Sequence, residues 1–287
     1  MFPSVNTRDP DAVRRVCESA WNEILGRSDA GLLGRGFAWV LRSFAGENPE
    51  FEPLDTRYHD LEHTMQGTLC LAHLMVGWHR SGSLPGLDER AVRLGLFAIL
   101  LHDTGYLKAR GDRQGTGAKF TPIHVQRSAD VAGRYLPVEG FSAEEIAGAQ
   151  NMIRCTGVNA DIRALSFQRA VDRRVGCALA TADLLGQMAA PDYPERLDDL
   201  FLEFQEAASA SPVGSNPGMA FVDAADLIRK TPAFWENHVC PRLEGEFEGV
   251  YRLLNSPWPD GPNPYFNRVE ENIRRIRSSS ATDVRVP

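Results

Sequence analysis

A chain of 287 residues, 43% apolar and 24% charged, can bury a core without disulfides or a structural metal. Its net charge of −7 excludes a general binder of duplex nucleic acid, because phosphate-backbone affinity needs a basic face. A local basic patch holding one small phosphorylated ligand stays compatible with that charge. The five cysteines (Cys17, Cys70, Cys155, Cys177, Cys240) show no CxxC spacing and predict reduced, mostly buried thiols. The opening MFPSVNTRDPDAVRRV lacks the apolar stretch of a secretory signal. The longest apolar run, Leu96 to Leu101, is too short to span a bilayer. A soluble cytoplasmic protein with no membrane partner is expected.

Helical periodicity dominates along the chain, and β-type alternation is scarce. Asp9 to Gly26 predicts a first amphipathic helix, with Val13, Val16, Ala20, Ile24 and Leu25 on one face, and Gly31 to Phe44 a second. An irregular stretch from Phe51 to Asp55 leads into a helix from about Tyr58 to Arg80, ended by the turn chemistry of Ser81 to Gly86. Asp88 caps the next helix, Glu89 to about Thr104. That helix is apolar almost all round from Leu94 to Leu101 and is therefore expected at the centre. Gly105 and the Gly- and charge-rich stretch Lys108 to Lys119 read as a long loop. Further helices are predicted over 122–136, 142–154, 167–189, 194–209, 223–230, 232–255 and 264–277, with Pro257 to Pro262 a hard break before the last. The reading is all-α: one domain over 1–277, its core about 55–190 and its C-terminal helical part about 191–277, then a disordered tail over 278–287.

Three segments carry candidate chemistry. In Tyr58-His59-Asp60-Leu61-Glu62-His63, two histidines four residues apart would share a helix face. In Leu100-Leu101-His102-Asp103-Thr104-Gly105, an imidazole and a carboxylate end a wholly apolar helix, where burying both is costly without compensation. Cys177 to Leu185 is a small, apolar helix bearing the single carboxylate Asp183. Taken alone, each has an ordinary reading: a half-exposed helix face, a satisfied core pair, a cap or ion-pair partner. Together they point to a divalent cation, which imidazole and carboxylate both ligate well.

The order His…His-Asp…Asp resembles the HD superfamily of metal-dependent phosphohydrolases, and Tyr-His-x-x-x-His its cyclic-nucleotide phosphodiesterase branch. Ala182-Asp183-Leu184, Leu202-Glu203-Phe204 and Phe234 to Pro241 are similar to that branch's later helices. The resemblance implies an HD-type helical bundle in which His63, His102, Asp103 and Asp183 hold a first metal and Asp103 bridges to a second. It makes His59 the general acid that protonates the leaving oxygen, and the ions one or two divalent metals of the Zn, Fe, Mn, Mg or Ni kind. The function it implies is hydrolysis of a phosphate ester of nucleotide type by metal-activated water, with a small phosphorylated substrate as partner.

The chain also departs from that branch. Asp60 stands where the branch has Asn, and a nearby Asp would raise the pKa of His59. Tyr106 stands where it has a second histidine, and Thr231 where it has the purine-reading glutamine; the ring-stacking phenylalanine is kept as Phe234. His124 is read two ways, as a ligand to the second metal or as a helix-start histidine bonded to a loop. Lys108 and Arg110, with Arg113 and Lys119, form either a phosphate-binding loop or a solvated one. Two alternatives to the hydrolase stand beside it. One is an HD-type diiron oxygenase, which the lack of histidine between His124 and Asp183 counts against; the other is a non-catalytic, metal-stabilised binding or regulatory module.

Overall fold

Three helices with almost no polar face build the centre. In the computed structural model, which describes residues 5–27, 29–210 and 221–283 (side chains as far as 279), the elements are all helical. Among the described residues the only extended pairing is one isolated antiparallel bridge, Phe51 with Ala109. No described helix is long and apolar enough to cross a membrane. Helix α1 spans Pro10–Leu25, α2 Ala30–Phe44, α3 Leu61–Ser81, α4 Glu89–Leu101, α5 His124–Tyr135 and α6 Ala143–Arg154. They are followed by α7 at Ala170–Met188, α8 at Tyr193–Ala210, α9 at Ala224–Phe234, α10 at Cys240–Glu244 and α11 at Pro264–Asp283.

Helix α4 is central, as its apolar run requires: Leu94 to Leu101 are all buried, and α4 packs on α2, α3, α5, α6 and α7. The closest pairing is α3 against α7, and glycine makes it possible. A Cβ on Gly186 would meet the backbone of Gln66 at 2.8 Å, so any larger residue would push the two helices apart. Gly105 has the same role at the end of α4. A Cβ there would lie 2.0 Å from the His124 carbonyl oxygen, so only glycine lets the start of α5 come beside the His102-Asp103 turn.

Three expectations change. Helix α3 begins at Leu61, because Asp60 caps it: its Oδ1 accepts the His63 amide at 2.9 Å. His59 therefore sits in the turn before the helix and shares no helix face with His63. The single helix expected over 232–255 is broken. Pro241 has no N–H to give to the preceding turn, α9 passes through a π-helical turn at Trp235–Val239, and Glu248 and Gly249 take positive φ angles of 58° and 65° before a 3₁₀ turn at Val250–Leu254. Helix α11 runs on to Asp283, with Ser278 and Ser279 hydroxyls donating to the carbonyls of Arg274 and Arg275. The expected disordered tail is thus helical from 278 to 283, and 284–287 lie outside the described residues. The five cysteines are free thiols, all buried except half-buried Cys240.

Candidate metal centre

The site lies where the start of α3, the end of α4, the middle of α7 and the start of α5 meet, and it gathers four of the seven histidines. His63 Nε2 lies 3.0 Å from Asp103 Oδ2 and 3.3 Å from Asp183 Oδ1. His102 Nε2 lies 3.3 Å and 3.4 Å from the same two oxygens. Two triads result, His63–His102–Asp183 and His59–His63–Asp103, with ligand atoms in each within 4.8 Å of one another. His124 Nε2 stands 3.9 Å from the other oxygen of Asp103.

The chemistry of these donors fits a cation. His102 donates from Nδ1 to the Ile99 carbonyl at 2.6 Å, which leaves the lone pair of Nε2 facing two carboxylates. His102 Nε2 and Asp103 Oδ2 are fully buried and make no aligned hydrogen bond. Imidazole nitrogens and carboxylate oxygens that converge with few aligned hydrogen bonds are an arrangement a divalent ion satisfies, and neutral imidazole with carboxylate is a donor set suited to Zn, Fe or Mn. The end of α4, with its carbonyls pointing outward, favours positive charge at the same place. Without an ion, the carboxylates govern the titration. Burial alone would lower His63 and His102, but Asp103 and Asp183 override it and raise both, His63 to about 10. Burial would likewise raise Asp103 and Asp183, yet the two imidazoles hold both below the usual carboxylate range.

The supporting residues are the ones sequence reading misses. Glu203 of α8, which the sequence offers only inside Leu202-Glu203-Phe204, is buried against the His59 turn. One of its oxygens accepts the amides of Tyr58 at 2.6 Å and His59 at 3.2 Å; the other meets His59 Nδ1 at 2.5 Å. His59 Nε2 is thereby left to face the triad. Burial would raise Glu203, but His59 and the two amides bring it below its ordinary value. Gln187, one turn after Asp183, donates to Asp183 Oδ1 at 3.3 Å and accepts the Tyr58 hydroxyl at 2.7 Å, so a chain of hydrogen bonds orients the carboxylate. The signal for both residues is weak in sequence: a polar group on an otherwise core-facing helical stripe.

Asp60 gives one oxygen to the His63 amide. Its second oxygen pairs with Arg196 of α8 at 2.9 Å. Tyr106, fully buried, stacks on His59 at 4.6 Å and on His124 at 4.5 Å, so an aromatic wall takes the place of a further ligand. His124 opens α5 with Nδ1 donating to the Thr121 carbonyl at 2.6 Å, and its Nε2 lies 3.9 Å from Asp103 Oδ1. The loop cations are committed elsewhere. Lys108 is buried, with Nζ 2.7 Å from Asp55 and donating to Gly115, and Arg110 spends its donors on Glu52 and the carbonyls of Gly46 and Asn48. Both cations anchor the loop rather than stand free for phosphate. On α9, the buried Thr231 hydroxyl donates back to Leu227, and the Phe234 ring stacks on His238 at 5.0 Å. Neither residue is brought to the triads by any contact among the described residues.

The chain matches one family over residues 43–250, a span that contains every residue named in this site. It belongs to the Npun_R2479-like family. No curated protein matches it. That family's description carries no activity, so the chemistry of this Npun_R2479-like chain is argued from the site itself.

Proposed function

We propose that the protein is a divalent-metal-dependent phosphohydrolase of HD type that cleaves a phosphate ester, with His59 as general acid. The observation that carries this reading is the pairing of His59 with buried Glu203 beside a convergent His63–His102–Asp103–Asp183 set. A purely structural ion needs ligands and their supports, but no half-buried imidazole held by a carboxylate on one nitrogen and free on the other. That arrangement suits proton delivery. Glu203 fixes the ring through Nδ1. Asp183 is oriented through Gln187, and Asp103 has one oxygen toward His63 and His102 and the other toward His124, a placement suited to bridging two ions. When bound, such ions activate water and neutralise phosphoryl charge. The nucleotide character of the substrate rests on the sequence resemblance.

Metal analysis of anaerobically purified protein, paired with a panel of phosphomonoesters and phosphodiesters, tests the proposal. His63→Ala and Asp183→Ala are expected to lose metal and turnover together. His59→Ala is expected to keep the metal and lose turnover by about 10²–10⁴-fold. Metal retained at wild-type level in both ligand variants would overturn the site; loss of metal in His59→Ala would make His59 a ligand.

A further inference from the structure

The turn that carries His59 is held from one side by α8, through two residues seven apart on one helix face. Glu203 takes the amides of Tyr58 and His59. Two turns earlier, Arg196 donates to the carbonyls of Arg57 at 2.5 Å and Tyr58 at 3.2 Å, and to Asp60 Oδ2 at 2.9 Å. Its guanidinium also lies over the Tyr58 ring, 5.7 Å from the centroid. The peptides on both sides of Tyr58 are thereby fixed, the carbonyls by a cation and the amides by an anion. Asp60 joins the two systems, since Oδ1 caps α3 through the His63 amide while Oδ2 pairs with Arg196.

We infer that Arg196 is a positioning residue for the general acid, acting with Asp60 to hold the 57–60 turn so that Glu203 can grip His59. This rests on the phosphohydrolase reading and adds to it a residue that touches neither the triads nor His59. All three bonds come from one guanidinium nitrogen, Nη2, so a single cationic group joins two carbonyls and a carboxylate of the turn. Losing it frees the turn without removing any metal ligand. The consequence falls on proton delivery, so it depends on how much the leaving group needs a proton. An alkyl ester leaves as a basic alkoxide and needs one, whereas a p-nitrophenyl ester leaves as a weakly basic phenolate and hardly does.

The test uses the full chain with Arg196→Met and the milder Asp60→Asn, which keeps an N-cap but removes the charge. Three measurements are made: metal content, amide hydrogen exchange by NMR, and turnover of an alkyl and a p-nitrophenyl phosphodiester. In Arg196→Met, the Tyr58 and His59 amides are expected to exchange at least about tenfold faster, with α4 and α7 amides and metal content unchanged. Turnover number for the alkyl ester is expected to fall at least about tenfold further than for the p-nitrophenyl ester, with KM little changed. Asp60→Asn is expected to move in the same direction by less, and Arg196→Lys to restore part of the alkyl-ester rate. Unchanged exchange at Tyr58 and His59, or equal slowing of both esters, in an active enzyme overturns the Arg196 assignment alone. A metal-loaded wild type inactive on both esters overturns the phosphohydrolase reading and the catalytic consequence with it, while the exchange rates still decide whether Arg196 holds the turn.

Discussion

His63 is held far from its ordinary titration range, and its titration offers a direct check on the metal. In metal-free protein its imidazole is raised to about 10, because Asp103 and Asp183 outweigh the opposing effect of burial. A group raised above its ordinary value of 6.5 contributes stability that is complete below about pH 6.5 and is lost as the pH rises through about 10. Chelated protein is therefore expected to lose thermal stability progressively from about pH 7 to 10. Metal-loaded protein, in which a ligating His63 is neutral when folded, is expected to stay flat over that window. Melting curves with and without chelator across the range distinguish the two. At Glu203 the expected costs are of another kind. Glu203→Ala leaves the buried Tyr58 and His59 amides without an acceptor, about 1–3 kcal/mol of stability by denaturant titration, in addition to slowing turnover. The candidate ligands are legible from sequence because an imidazole or carboxylate in an apolar helix stands out; Glu203 and Gln187 are not, because long polar side chains on amphipathic helices are common.

Among the elements, the contact of α3 with α7 decides whether His63 and Asp183 meet at all. A Cβ at Gly186 would lie 2.8 Å from the Gln66 backbone, closer than van der Waals contact, and backbone cannot yield as a flexible side chain can. Gly186→Ala is expected to cost about 1–3 kcal/mol of stability. Because the strain parts the two ligand-bearing helices, the same variant is expected to bind metal more weakly, which calorimetric titration would detect; unchanged affinity would show that α3 and α7 slide without opening the site. Most helices follow from periodicity and caps, with α1, α4 and α6 starting at the Asp9, Asp88 and Ser142 caps. The start of α3 does not, since the Asp60 cap begins the helix at Leu61, three residues after Tyr58. The stretch after Pro232 fails for a related reason: apolar periodicity continues through it, while two prolines and the positive φ angles at 248–249 interrupt the backbone.

On the scale of the whole molecule, a metal held as proposed would tie together α3, α4 and α7, the three helices of the centre, and so would link binding to stability. Free metal at about a hundredfold its dissociation constant is expected to add about 2.7 kcal/mol, seen as a rise in Tm that His63→Ala abolishes. The sequence by itself determines the all-α class, the burial of α4 and the residues His63, His102, Asp103 and Asp183, because apolar periodicity and isolated polar residues within it are local properties. Only the tertiary structure decides that His59 lies in a turn gripped by α8, that Lys108 and Arg110 are spent largely on the segment 46–55, and that Thr231 and Phe234 interact within their own helical segment. His59 and Arg110 meet carboxylates 144 and 58 residues away in sequence, whereas Thr231 bonds a carbonyl only 4 residues back. A helix period places a side chain on a face, but the packing of the helices decides what that face meets.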